Sequence, residues 1–229
     1  MSPTYSLKRI GQNPGDDLLI HLRQRLQRSL RRRFEVGQHP VPSLTHHPQM
    51  IDLIKRETGA DHVFVRGHLI RTEKPIDFND GYARFVHCDY NMTRIHEMAN
   101  ELFAEQGVTP QNNWKYAWYN TWQPFDNPAY HNPLTCIDWE TLPEGDVIDY
   151  FYTGRGRDSK VAAPVYNPDH RWCYFPEMST EEVLVLKQLD ERPNRAYYCP
   201  HVSFDNKAAS KDLPPRRSIE TRLVAVFEE

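Results

Sequence analysis

The sequence predicts a mainly β protein with helices, a barrel or sandwich buttressed by a few helical segments. Three observations lead there. Short runs rich in β-branched and aromatic residues recur along most of the chain, each bounded by Pro, Asn or Gly turns. Helical spacing of apolar residues is concentrated toward the N-terminus. With 229 residues, 39% of them hydrophobic, the chain can bury a full core without disulfide or metal staples. It reads as one domain, with a helical arm and loop over residues 1–48 and a β core over residues 49–229.

Residues 16–34 carry Leu18, Leu19, Leu22, Leu26, Leu30 and Phe34 at helical spacing with arginines between them, which predicts an amphipathic helix. Arg31, Arg32 and Arg33 are its solvated face, because no aromatic-interleaved basic stripe accompanies them to suggest nucleic acid. Residues 37–48 hold three prolines and predict a loop, with His39, His46 and His47 as surface polar groups. Residues 50–58 predict a short helix stopped at Gly59, residues 62–66 a strand continued by Leu69 and Ile70, and residues 81–90 the next strand. Residues 93–105 predict a helix capped by Thr93, with Ile95, Met98, Ala99, Leu102 and Phe103 on its apolar face and Gly107 closing it.

Residues 114–122 alternate aromatic and polar side chains, as suits a strand lining a cavity. Further short strands are expected over residues 135–137, 147–153, 161–166, 172–175, 183–189, 201–204 and 218–227. Ser179-Thr180-Glu181-Glu182 resembles a capping box and opens a helical or turn element.

Net charge is close to balanced at −3, so no global field draws the chain to nucleic acid or to an acidic membrane surface. No apolar run approaches the roughly 20 residues that span a bilayer. The segment Met1-Ser2-Pro3-Thr4-Tyr5-Ser6 lacks a signal-peptide apolar core, which predicts a cytoplasmic protein. Cys88, Cys136, Cys173 and Cys199 form no Cys-x-x-Cys pair and read as small buried hydrophobes in a reducing compartment.

Chemistry is signalled by His87 and Asp89 in Phe85-Val86-His87-Cys88-Asp89-Tyr90, and by the distant His201 in Cys199-Pro200-His201-Val202-Ser203-Phe204. Two imidazoles and one carboxylate occupy one face of an octahedral Fe(II) and leave the opposite face open. In a strand, residues two apart point the same way, so His87 and Asp89 can reach one metal while Cys88 faces away. A bare His-x-Asp is common, and both residues have a bland alternative as satisfied polar groups of a half-buried strand. The segment downstream of His201 weighs against that. After a gap of 14 residues comes Arg216-Arg217-Ser218-Ile219-Glu220-Thr221-Arg222, leading into the apolar run Leu223-Val224-Ala225-Val226-Phe227. Arg216 and Ser218 share a strand face and present a guanidinium fork and a hydroxyl, a pair suited to a dicarboxylate tail. Arg222 lies on the same face, and Arg217 on the other.

His-x-Asp, a distal His and then Arg-x-Ser resemble the pattern of iron(II)/2-oxoglutarate-dependent oxygenases. Further segments are similar to the branch containing the cephem hydroxylase, gibberellin-desaturase-like proteins and the meroterpenoid endoperoxide-forming oxygenase. They are Glu57-Thr58-Gly59-Ala60 with residues 63–71, Tyr119-Asn120-Thr121-Trp122-Gln123-Pro124, Pro133-Leu134-Thr135-Cys136-Ile137-Asp138, Trp172-Cys173-Tyr174-Phe175-Pro176-Glu177-Met178 with Glu182, and residues 200–222. The likeness runs from about Met50 to the C-terminus. It departs at Gln123, where the family pattern has Arg after Asn-x-Trp.

The resemblance implies a double-stranded β-helix (jelly roll, cupin-like) core. It implies Fe(II) held by the catalytic residues His87, Asp89 and His201, with 2-oxoglutarate and O2 as cosubstrates. Arg216 and Ser218 would hold the cosubstrate, with Asn120 and Arg222 as further candidates, and Trp122, Gln123 and Tyr174 would face substrate. Hydroxylation, desaturation or oxidative cyclisation of a small molecule, a secondary metabolite or an amino-acid derivative, with release of succinate and CO2, is the implied reaction. Two other classes stay open: a zinc-type hydrolase built on the same three ligands, and a non-catalytic jelly-roll binding module. A homodimer is left open as well.

Overall fold

The structure, a computed structural model, describes residues 8–10, 19–23, 42–73, 81–152 and 159–229. The largest sheet has six antiparallel strands in the order β1 (Lys8–Ile10), β2 (Leu19–Arg23), β9 (Glu182–Asp190), β4 (Trp114–Pro124), β11 (Ser218–Glu228) and β3 (His62–Arg71). Facing it are a three-stranded sheet, β10 (His201–Ser203), β5 (Leu134–Ile137) and β8 (Trp172–Tyr174), and the hairpin of β6 (Val147–Tyr152) and β7 (Ser159–Pro164). His87 bridges to His201 and Cys88 to Ala162. Those two residues therefore stitch the pieces into one layer, β8-β5-β10-(87–88)-β7-β6, and the two layers form a jelly roll.

Alternation along β4 and β11 sorts their side chains. On one face, Ala117, Tyr119, Leu223, Ala225 and Phe227 pack with Met50, Leu53 and Ile54 of α1 (Pro42–Thr58). On the other, Trp114, Tyr116, Trp118, Val224 and Val226 pack with Ile95, Met98, Leu102 and Phe103 of α2 (Ile95–Gln106). Further along this second face, Trp122 meets Leu134 and Cys136 of the facing layer, together with Met178, Leu184 and Leu186. Burying each large apolar side chain contributes about 1.5–3 kcal/mol.

The apolar face expected for the second helix is the buried one, and Gly107 closes it at φ 67°. Its start differs from expectation. Asn91, not Thr93, is the cap: its Oδ1 accepts from the Thr93 N–H at 3.0 Å and the Thr93 hydroxyl at 2.7 Å, opening a 3-10 turn before α2. The first helix stops at Gly59, φ 71°, as expected, but begins at Pro42 rather than near residue 50. Pro42 sits at the first position, where a missing N–H costs nothing. Pro48 is tolerated inside, so residues 42–48 are helix rather than loop and α1 runs across residue 48.

Residues 19–23, expected within an amphipathic helix, form β2 and pair with β9. Backbone pairing along an available sheet edge outweighed the helical spacing of the leucines. The rest of that expected helix, Arg31 to Arg33, residues 37–41 with His39, and Thr153 lie outside the described residues. Residues 81–90, expected as a strand, hold only the bridges at His87 and Cys88. The segment lies between β10 and β7, bridging to β10 at His87 and to β7 at Cys88, with one further backbone bond from the Ser203 N–H to the Ala83 carbonyl at 3.0 Å. Of the helical or turn forms expected for Ser179 to Glu182, the structure takes the turn, in which Glu182 Oε2 accepts from the Ser179 N–H at 2.7 Å, and it leads into β9.

Candidate metal centre

His87 and Asp89 approach from the stitching segment and His201 from the start of β10. One donor atom from each lies within 4.8 Å of the other two. Asp89 Oδ1 is 3.7 Å from His87 Nε2, and Oδ2 is 3.4 Å from His201 Nε2. Each histidine bonds through Nδ1 to the carbonyl two residues earlier in its own segment, His87 to Phe85 at 2.8 Å and His201 to Cys199 at 2.8 Å. With Nδ1–H donating there, Nε2 keeps its lone pair for a metal.

The three groups are electrically coupled. Burial alone would raise the pKa of Asp89, but the Arg222 guanidinium, then His201 and His87, hold it well below the usual carboxylate range. Burial holds His201 below its ordinary value. Burial opposes charge on His87 as well, yet the hydrogen bond and charge of Asp89 raise it. An ionised carboxylate between two imidazoles, backed by a fixed cation, is a donor set that fits Fe(II).

Asn120 and Arg222 are register partners on β4 and β11 and both reach Asp89. Asn120 Nδ2 donates to Oδ2 at 2.6 Å and Arg222 Nη2 to Oδ1 at 2.7 Å. Arg222 Nε donates to Glu220 Oε1 at 2.9 Å.

Arg216 lies deeper, only 1% exposed. Its guanidinium sits 4.2 Å from the Tyr82 ring centroid and 5.3 Å from that of Trp122. Nη1 donates to the Asn132 carbonyl and, at 3.2 Å, to Ser203 Oγ, while the Tyr82 hydroxyl donates to the Arg216 carbonyl at 2.5 Å. Among the described residues no carboxylate forms an ion pair with this guanidinium, and burial pushes its pKa down to about 9. Among the described residues, Arg216 Nε and the neighbouring Ser218 Oγ find no hydrogen-bond partner, although both are buried. A buried cation beside an unused hydroxyl fits the far carboxylate of a 2-oxo dicarboxylic acid.

Of the residues expected at substrate, Trp122 is 2% exposed and flanks Arg216, whereas Tyr174, on β8, is 43% exposed and packs edge-on against Phe204. Gln123 falls on the opposite face of β4, where Nε2 donates to the Thr180 carbonyl at 2.7 Å. Tyr82, Asn132, Ser203 and Glu220 belong to the same region and were not anticipated. Glu220 was readable, since alternation puts it between Ser218 and Arg222. Tyr82 and Asn132 sit in irregular segments with no periodicity to reveal them.

The chain matches the oxidoreductase/YMDC permease-like domain family over residues 43–227. Among the described residues, no helix is long and apolar enough to cross a membrane. It is 31% identical over 215 residues to the hydroxylase/desaturase efuI of Hormonema carpetanum, covering 80% of this chain and 70% of the relative. It is 27% identical over 175 residues to the Fe(II)/2-oxoglutarate-dependent dioxygenase nvfI of Aspergillus novofumigatus, covering 75% of this chain and 63% of that protein. The fold is that of the iron and alpha-ketoglutarate-dependent endoperoxidase NvfI, with a TM-score of 0.84 at 21% identity over 95% of this chain and 82% of that one. None of these relatives is named as a zinc hydrolase or a binding module.

Proposed function

The chain belongs to the iron(II)/2-oxoglutarate-dependent oxygenase family, and from that premise we propose that it oxidises a small organic molecule at a site held by His87, Asp89 and His201. When bound, iron with 2-oxoglutarate and O2 supplies the power to oxidise an unactivated C–H bond, releasing succinate and CO2. The protein's part is to bind, orient and exclude water. His87 and His201 present Nε2 because the Phe85 and Cys199 carbonyls hold their Nδ1–H. Asp89 stays ionised because Arg222 lies against it. Arg216 receives the distal carboxylate of 2-oxoglutarate, and Ser218 donates its unused hydroxyl to the same group.

One observation carries this reading: a two-histidine, one-carboxylate cluster stands beside a fully buried guanidinium that, among the described residues, forms no ion pair with an acid. The substrate class that best suits the relatives is a secondary metabolite or amino-acid derivative, with Trp122 and Tyr174 as candidate contacts; Gln123, which faces away from the site, is not among them. The four free cysteines suit a cytoplasmic, reducing setting. We take the whole chain as one catalytic domain.

Anaerobic addition of Fe(II) and 2-oxoglutarate to the metal-free protein tests the assignment. A weak visible charge-transfer band is expected in the wild type, lost in His201→Ala and shifted to much higher cosubstrate concentration in Arg216→Ala. Tight metal binding with no band at any 2-oxoglutarate concentration sinks the oxygenase reading.

A further inference from the structure

The three metal-facing side chains are not held alike. His87 and His201 are each fixed by a carbonyl of their own segment. Asp89 comes just after the last bridge of its segment and accepts instead from the opposite sheet, through Asn120 on one oxygen and Arg222 on the other. The register opposes Asn120 to Arg222 across β4 and β11, so one cross-strand pair grips both ends of one carboxylate. The pair is itself anchored. The Tyr90 hydroxyl donates to Asn120 Oδ1 at 3.4 Å, and Glu220 accepts from Arg222 Nε at 2.9 Å. In contrast to Arg216, whose Nε has no partner among the described residues, Arg222 already uses Nε and Nη2 within the chain.

We propose that Asn120 and Arg222 are positioning residues for the metal, a cross-strand pincer that fixes the Asp89 carboxylate, and not ligands of the cosubstrate. The pincer rests on the oxygenase reading. Removing either arm frees the carboxylate to rotate, so the ligand set loses its preorganisation while the three ligands and Arg216 remain. Loss of such an outer partner weakens metal affinity by roughly 10- to 100-fold. Because both arms hold one group, the double variant loses less than the product of the two single effects.

The test titrates Co(II) into the metal-free full chain under anaerobic conditions, followed by calorimetry and by the visible d–d bands that report ligand geometry. Asn120→Ala, Arg222→Ala and the double variant are expected to bind Co(II) about 10- to 100-fold more weakly. Their d–d bands change, and their 2-oxoglutarate affinity at saturating Co(II) stays near wild type. Arg216→Ala shows the reverse, with unchanged Co(II) binding and much weaker 2-oxoglutarate binding. Melting of the metal-free proteins identifies any variant that fails to fold. Arg222→Lys, which cannot grip Glu220 and Asp89 together, and Asn120→Ser then serve in place of the alanines, with the same expected direction. Unchanged Co(II) affinity in the folded variants overturns the pincer. So does a fall in 2-oxoglutarate affinity at saturating metal without a change in metal affinity, which would mark direct cosubstrate contact. A wild type that binds no Co(II) removes the oxygenase reading itself, and the pincer with it.

Discussion

One face of β4 and β11 is built in two halves that share one β4–β11 register and differ in the side chains they carry and in what covers them. In the half covered by α2, Trp114, Tyr116, Trp118, Val224 and Val226 close a dry core. One step further along the same strands, Asn120, Glu220, Arg222 and Ser218 take the inward positions, and all four are polar. The β4–β11 register runs unbroken across the boundary, but the outer pairings of both strands shift there, β4 with β9 between Trp118 and Tyr119 and β11 with β3 between Arg222 and Leu223. The elements opposite differ as well: α2 brings Ile95, Met98 and Phe103 over one half, whereas residues 87–89 and β10 bring two imidazoles and a carboxylate over the other. The core half stabilises the fold. The polar half holds buried charge that the fold alone does not fully satisfy.

If that division is right, variants in the two halves fail in different ways. The largest effect is expected for His201→Ala, which reduces succinate release to background while leaving the melting temperature of the metal-free protein close to wild type. Loss of folding in this variant would make His201 a structural residue. Phe103→Ala, in the core half, is expected to lower stability in urea unfolding by about 3–5 kcal/mol. Its Co(II) affinity at temperatures well below melting stays unchanged.

Burial of histidine offers a third comparison. His46, one turn before Met50 on the buried side of α1, is held down to about 4 from its ordinary 6.5, chiefly by burial and then by His47 and His68. Between those values the unfolded chain takes up a proton that the folded chain refuses. Its contribution is therefore complete above about pH 6.5 and is lost as pH falls toward 4, on the order of 3 kcal/mol. Chemical denaturation against pH is expected to show a steeper acid loss in wild type than in His46→Gln; parallel curves would mean that His46 is protonated in the fold.

The smallest effect is expected for Arg216→Met, which replaces an uncompensated buried cation by an apolar chain. The cosubstrate-free protein should keep its stability or gain about 1 kcal/mol. The stabilisation by 2-oxoglutarate seen in wild-type thermal melts should vanish. A large destabilisation would show that the bonds from Arg216 to Asn132 and Ser203 outweigh its burial.

Much of this was legible along the chain because it depended on local spacing. His87 and Asp89 share a site through a two-residue step, Arg216 and Ser218 through another, and the buried face of α2 came from residues three and four apart. The substrate contacts read from sequence are less tied to local spacing, and Gln123 lies on the face of β4 away from Asn120. Local spacing also misled: the leucines near residue 20 kept helical periodicity while Leu19–Arg23 pairs with β9.

The sequence by itself determined the ligand types, their pairing within each segment and the apolar periods of the long strands and of α2. These are properties of neighbours a few residues apart, and backbone geometry alone turns them into faces. Only the tertiary structure decided that residues 87 and 88 join two sheets, that Tyr82 and Trp122 enclose Arg216, and that Asn120 and Arg222 meet on Asp89. Those contacts join segments about 30 to more than 130 residues apart. Their energy is gained only after long loops close, and no short-range pattern records which closure the chain makes.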